Sequence, residues 1–354
     1  MGSILKRQKL SEEQYEDRIS NLPNSLIAQI LSRLPTKYAV STSVLSTRWK
    51  QLWTSITSLD FDDTLLSCLQ NSSTDPSLQR SFTSFVGRVL LHHVSCVQRF
   101  RLECSQRYDA SLVNGWIADT LLRNVRELDL SIRKEHSTML PQDLFTCRTL
   151  AVLKLDTSRD MNNVPTSVSL PTSVSLPSLR ILHLCGIRFM DGDSIDRPPH
   201  GSEREIVLDT PAPLYLTIRD SAGDGSYIIE NLHHLIRADI CLYAEGDSDI
   251  SEALTDLLTG ISNVQFLKLD FSIQTYMRDW QLPNFPNMTC LELGEIFDVQ
   301  WEFLLGLLEN SPHLETLVFK EVSREEIFSY ESIYVACTCH LIQFALCRVL
   351  EMIM

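Results

Sequence analysis

The residues able to carry chemistry are few, and their spacing does not suit it. Cys337, Cys339 and His340 are zinc-ligating types, but they lie too close together for one tetrahedral site, and a second ligand pair is missing. Asp191-Gly192-Asp193 with Asp196 opens like a calcium loop, yet lacks the glycine and the closing glutamate such a loop needs. Gly223-Asp224-Gly225 has neither the spacing nor the lysine of a phosphate-binding loop. His92-His93 and His233-His234 alternate faces or sit at helix ends, and read as surface histidines. A Ser-His-Asp triad is set by geometry, and no spacing here singles one out. The sequence thus names no catalytic residue, no metal and no cofactor. It points to a protein that works by binding.

The stretch from Asp17 to Asp63 carries the strongest binding signal. Apolar positions at Leu26, Ile27, Ile30, Leu31 and Leu34 have the three- and four-residue spacing of a helix face. Pro35 ends that helix, because the residue before a proline is pushed out of the helical region. Thr36 is placed to cap a second helix that carries Val40 and Val44. A third short helix carries Trp49, Leu52 and Trp53. Three short helices cannot hide this much apolar surface among themselves, and the surplus predicts a docking surface for another protein. Leu26 and Leu31 are candidates for the internal core instead.

Charge separates this head from the body. Residues 1–60 hold 8 Lys+Arg and 5 Asp+Glu, leaving 23 and 40 for the rest, so +3 stands against −17 in a chain of net charge −14. An acidic body disfavours nucleic acid, whose binding needs phosphate-neutralising charge. The 44% hydrophobic content over 354 residues is ample for a core. Ten scattered cysteines and a polar start predict free thiols in a reducing compartment, the nucleus or cytoplasm. Lys6-Arg7-Gln8-Lys9 is readable as a weak nuclear signal or as a solvated tail, and Lys6 stands where a myristoylation motif needs Ser or Thr.

From residue 97 a six-residue pattern recurs, apolar-x-x-apolar-x-apolar. It begins at 97, 125, 150, 179, 211, 235, 264, 288 and 314, with steps of 24 to 32 residues. That is the period of leucine-rich repeats, in which each unit buries its strand only by stacking on its neighbours. Amphipathic stretches at 78–93, 112–122 and 301–308 supply outer helices. Ser158, Ile187 and Ser272 stand where regular repeats carry asparagine, so an irregular solenoid is expected. The hexapeptide TSVSLP occurs at 166–171 and again at 172–177, which reads as a lengthened loop. Strand alternation aims one residue of each unit at the open face: Arg101, Asp129, Lys154, His183, Tyr215, Asp239, Lys268, Glu292 and Val318. This mixed set is the candidate target-binding surface.

The head is identified as a member of a known family. Leu22-Pro23, Ile30-Leu31, Leu34-Pro35-Thr36-Lys37, Ala39-Val40, Thr42-Ser43-Val44-Leu45-Ser46, Arg48-Trp49, Leu52-Trp53 and Leu59-Asp60-Phe61 resemble the F-box of plant F-box/leucine-rich-repeat proteins. Val207-Leu208-Asp209-Thr210-Pro211, Lys268-Leu269-Asp270 and Asn310-Ser311-Pro312-His313-Leu314 resemble the body of the F-box/LRR/FBD members, so the likeness covers about 17–322. The fold it implies is α/β: a small three-helix F-box, then an irregular leucine-rich-repeat solenoid with a parallel sheet on its concave face. The implied organisation is a lead at 1–16, F-box at 17–63, linker at 64–77, solenoid at 78–322 and a divergent tail at 323–354. The family's F-box binds an acidic Skp adaptor and through it a cullin-RING ubiquitin ligase. On that resemblance the adaptor-binding residues are Leu22, Pro23, Ile30, Leu34, Pro35, Val44, Leu45, Trp49 and Trp53.

The implied function is substrate recognition within a Skp-cullin-F-box ubiquitin ligase, with no catalytic residue in this chain. The alternative is an interaction scaffold that binds the adaptor without delivering a target. That alternative arises because the family's FBD region is replaced by residues 333–354, of which 17 of 22 are apolar. His340, Arg348 and Glu351 interrupt this tail and disfavour membrane insertion. A helix covering the open end of the solenoid and a divergent exon remain as its readings.

Overall fold

The computed structural model describes residues 19, 21–66, 76–132, 140–157, 173–186, 207–209, 213–222, 228–230, 232, 234–244, 251–272, 281–296 and 301–319. The apolar tail, the Asp191–Asp196 loop, the Gly223–Gly225 turn and Cys337-Cys339-His340 lie outside them. Among the described residues no helix is long and apolar enough to cross a membrane, and no cluster of metal-ligating side chains occurs.

Two α-helices open the fold, α1 (Asn24–Leu31) and α2 (Thr36–Ser41). The third helical segment, Trp49–Ser55, is wound as a 3-10 helix, with a further short turn at Thr42–Val44. Thr36 does not cap α2 by its side chain. Its buried hydroxyl instead accepts the Asp60 N–H at 2.8 Å. Asp60 belongs to β1 (Ser58–Asp62), so the helix satisfies a donor on a strand that, among the described residues, has a strand partner on only one side.

That strand begins the sheet. The repeat pattern read from sequence starts at Val97, but Ile56, Leu59 and Phe61 already match it and are fully buried. The long helix α3 (Pro76–His92) follows, with Phe82, Val86, Val89 and Leu90 turned inward at the expected helical spacing. Next come β2 (Arg99–Cys104), α4 (Ala110–Leu121), β3 (Glu127–Ile132), a 3-10 turn (Gln142–Thr146) and β4 (Val152–Asp156). Asp109 caps α4 by accepting the Ser111 N–H.

The middle of the chain departs from the strand-helix alternation. Its strands are β5 (Ser173–Ser175), β6 (Ile181–Cys185), β7 (Val207–Asp209), β8 (Tyr215–Ala222), β9 (Ile228–Glu230) and β10 (Arg237–Ala244). Then α5 (Ser251–Gly260), β11 (Phe266–Ser272), β12 (Cys290–Ile296), α6 (Trp301–Glu309) and β13 (Thr316–Phe319) complete the described chain. Ten strands form one parallel sheet in the order β1-β2-β3-β4-β6-β8-β10-β11-β12-β13. The other three, β5-β7-β9, form a small parallel sheet of their own.

The second TSVSLP copy is therefore more than loop. Its alternation turns Val174 and Leu176 into the core, and Ser173–Ser175 becomes β5. The outer layer thus changes from helix to strand and back to helix along the stack.

One register differs from the sequence reading. The fifth unit of the sequence pattern is expected to run Pro211-Leu214-Leu216. In the sheet Leu182 pairs with Leu216 and Leu184 with Ile218, so the unit is Pro213-Leu216-Ile218. Leu214 is only half-buried, whereas Leu216 and Ile218 are core. The core is one continuous cluster from Ile27 and Leu31 of α1 to Leu317 of β13. The F-box helices thus share their hydrophobic interior with the sheet.

Candidate functional site

The F-box divides its apolar residues between two directions. On α1, Ile27 and Leu31 point inward, Leu31 at 2% exposure. Leu26 and Ile30 point outward at 43% and 51%. Both pairs have i, i+4 spacing, so one apolar stripe serves the core with one edge and solvent with the other. Leu26, read as a core candidate, belongs to the outer edge. On α2, Thr36 and Ala39 are buried while Tyr38 is exposed. Val44 and Leu45 are 87% and 64% exposed in the turn after α2.

Of the nine residues expected to meet an adaptor, Pro23, Ile30, Leu34, Val44 and Leu45 are exposed. Pro35 is half-buried. Leu22, Trp49 and Trp53 are half-buried and pack on the core, so each offers one edge. Leu26, Tyr38 and Ile19 are exposed apolar residues outside that set of nine. Polar links set the layout. Arg48 donates to the Leu22 carbonyl and, at 3.0 Å, to Asn24 Oδ1, joining the third helical segment to the start of α1. Lys37 Nζ donates to the Leu65 carbonyl at 2.5 Å.

The carboxylate of Asp63 fastens the next unit. Buried just after β1, it accepts from the Ser105 N–H and hydroxyl, the Gln106 N–H and the Tyr108 hydroxyl. Burial and the Asp63 charge push the Tyr108 hydroxyl far above its ordinary range. Cys104 is likewise raised, by burial first and then by Asp63, and stays a thiol. His93, read as a surface histidine, is buried at the end of α3 and donates from Nε2 to the Ile56 carbonyl at 2.7 Å. Burial lowers its pKa, and Arg123 adds to the effect.

The open face of the large sheet carries a row of side chains set by the parallel register. From β1 to β4 it reads Asp60, Arg101, Asp129, Lys154. From β10 to β13 it reads Asp239, Lys268, Glu292, Val318, but Glu292 and Val318 are buried there rather than open to a partner as the alternation implied. His183 of β6 and Thr217 of β8 lie between. Thr217 holds the place expected for Tyr215. Tyr215 lies on the same face two residues earlier, beside Ile181.

Most of the charges in this row hold each other. Arg101 lies 2.9 Å from Asp60 and also pairs with Glu103. Burial disfavours its charge, but Asp60, Glu103 and Asp129 more than offset this and raise its pKa. Lys154 lies 3.9 Å from Asp129. Lys268 sits between Asp239 at 3.8 Å and Glu292 at 3.7 Å.

An F-box-like helical head joined to a parallel leucine-repeat sheet defines a class of protein, the F-box/LRR proteins. Residues 19–61 match the F-box domain family, and residues 113–196 match the family described as FBD-associated F-box protein At5g56370, LRR repeats. F-box/LRR-repeat protein At3g59200 of Arabidopsis thaliana is 34% identical over 86% of this chain and 69% of its own length. F-box/LRR-repeat protein At4g14103, from the same plant, is 33% identical over 86% of this chain and 91% of itself. F-box/FBD/LRR-repeat protein At2g04230, also from Arabidopsis thaliana, is 30% identical over 88% and 76%. The chain belongs to the F-box/LRR-repeat family.

Proposed function

We propose that this chain is a non-catalytic, substrate-recognising subunit of a Skp-cullin-F-box ubiquitin ligase. The F-box docks on the Skp adaptor, and the open face of the sheet holds a target protein. The observation that carries this reading is the set of outward apolar residues on the F-box, Leu26, Ile30, Leu34, Tyr38, Val44 and Leu45. Concentrated within some twenty residues of chain, they form the kind of patch that marks a protein interface. The subunit's contribution is to raise the effective concentration of target lysines near the loaded conjugating enzyme. Ten cysteines scattered without paired spacing suit a reducing compartment, the nucleus or cytoplasm.

The test uses Ile30→Asp with Leu45→Asp. Both side chains point away from the core, so the melting temperature should hold. Affinity for a purified Skp adaptor should fall by at least about tenfold, as at interface hot spots. Undiminished adaptor binding in this folded variant would sink the assignment. Adaptor-dependent ubiquitylation of a captured partner then distinguishes a substrate receptor from an idle scaffold.

A further inference from the structure

The open face has a gap in its charge pattern: two adjacent rows of side chains place it on β6 and β8, and one of them extends it to Val152 of β4. In the row through Arg101 and Lys268, ion pairs occupy β1 to β4 and β10 to β12, leaving His183 and Thr217 between. In the neighbouring row, two residues closer to the strand starts, Arg99 pairs with Glu127 at 3.6 Å on one side. On the other side the Arg237 guanidinium lies 3.9 Å from the Phe266 ring centroid. Between them stand Val152, Ile181 and Tyr215. Tyr215 is 43% exposed, and Val152 and Ile181 are half-exposed. On the row towards the strand ends, Asp156 and Arg219 bring opposite charges to either side of Cys185.

We infer that this uncharged window on β4, β6 and β8 anchors the target, and that its ligand is a protein segment presenting an uncharged aromatic or branched aliphatic side chain. This rests on the target-receptor reading above. Three strands at about 4.8 Å spacing give a patch about 14 Å wide, room for one or two side chains. An apolar centre inside a polar rim is the layout of an interface hot spot, in which the rim excludes water. Along the two rows that hold the window, Arg99, Lys154 and Lys268 already have carboxylate partners. A charged anchor would have to displace Lys154 from Asp129 or Lys268 from its two carboxylates, or else lose its water beside Ile181 unpaired. Burial, with Arg219 and Lys154, lowers the pKa of His183 and keeps its ring neutral near pH 7. A charge-bearing motif, including a phosphorylated one, is thus the poorer ligand.

The experiment takes the full chain co-purified with its adaptor and selects binders from a displayed library of random twelve-residue peptides. The expected winners share an uncharged aromatic or aliphatic anchor. Their affinity should drop at least tenfold in Tyr215→Asp and in Thr217→Arg, and change less than threefold in Arg99→Ala, which lies outside the window. Melting temperature and adaptor binding are measured on every variant. Selection of acid- or base-anchored peptides, of no peptides, or of peptides indifferent to both window variants overturns the proposal. Loss of adaptor binding by the parent chain would instead count against the receptor reading, so the two failures are separable.

Discussion

The two surfaces of this protein solve opposite problems. The F-box leaves large apolar side chains in water, and the parts of them facing out find no cover within the described chain. The sheet presents charges, and most of these are matched by a neighbour one strand away. The first is incomplete without a partner; the second is nearly complete alone. A surface of the first kind gains affinity from whatever covers it, because burial of apolar area is non-directional. A surface of the second kind gains little from charge, since a partner's charge must compete with an existing pair. On the proposed reading, selectivity on the sheet rests on its uncharged centre, and affinity on the F-box rests on shape and area.

Several measurements would break or sharpen this contrast. The largest effect is expected from Asp63→Ala. It strands the Ser105 and Gln106 amides and the Tyr108 hydroxyl, at a cost of about 2–4 kcal/mol of folding stability. Chemical denaturation should record it, while adaptor affinity per folded molecule stays unchanged. If adaptor affinity fell with stability, the two surfaces would not be independent.

Thr36→Val comes next. It keeps the shape but removes the acceptor for the Asp60 N–H, costing about 1–2 kcal/mol. Amide exchange at Asp60 should accelerate, and an unchanged rate would argue against this link between head and sheet.

Acid should weaken the fold through His93. Its folded pKa lies below the ordinary 6.5, so the folded state binds fewer protons than the unfolded chain. Stability is fully present above that ordinary value and is lost as pH falls through the folded value. The urea midpoint should therefore decline as the pH falls below the ordinary histidine value of 6.5. His93→Gln, which keeps a donor for the Ile56 carbonyl, should flatten part of the decline. The smallest effect belongs to Arg99→Ala. Its ion pair with Glu127 is half-exposed, and its loss should cost no more than about 0.5 kcal/mol. A larger loss would mean the sheet charges contribute more to the fold than their exposure suggests.

The strand spacing was legible because a buried parallel strand must repeat its leucines. It failed where apolar residues were in excess. Leu214 and Leu216 both fit the pattern, and only pairing against Leu182 decides between them. Ile56-Leu59-Phe61 was hidden for another reason: those residues sit inside the F-box motif, and one chain segment has two duties. The second TSVSLP copy carried a period-two signal, serine alternating with valine and leucine, which a length argument overlooked. On α1 the apolar stripe was visible but its division was not, because spacing cannot say which edge of a stripe meets the core. The open-face residues were named from alternation alone, yet their pairing into ion pairs depends on register across strands. His93 was missed because adjacent histidines look alike in sequence, while only one of them meets Ile56.

The strand β1 is at once the last segment of the head and the first rung of the sheet. On the proposed reading, adaptor and target are then separated by a whole number of rungs of one sheet. From β1 to β6 there are four spacings, about 19 Å at 4.8 Å each. Gaining or losing one repeat in that interval would move a bound target by a single such increment and turn it by about 20–25°, the twist between neighbouring strands. Reach and heading of anything bound there would thus change together, in discrete notches, without any alteration to the outward face of the F-box.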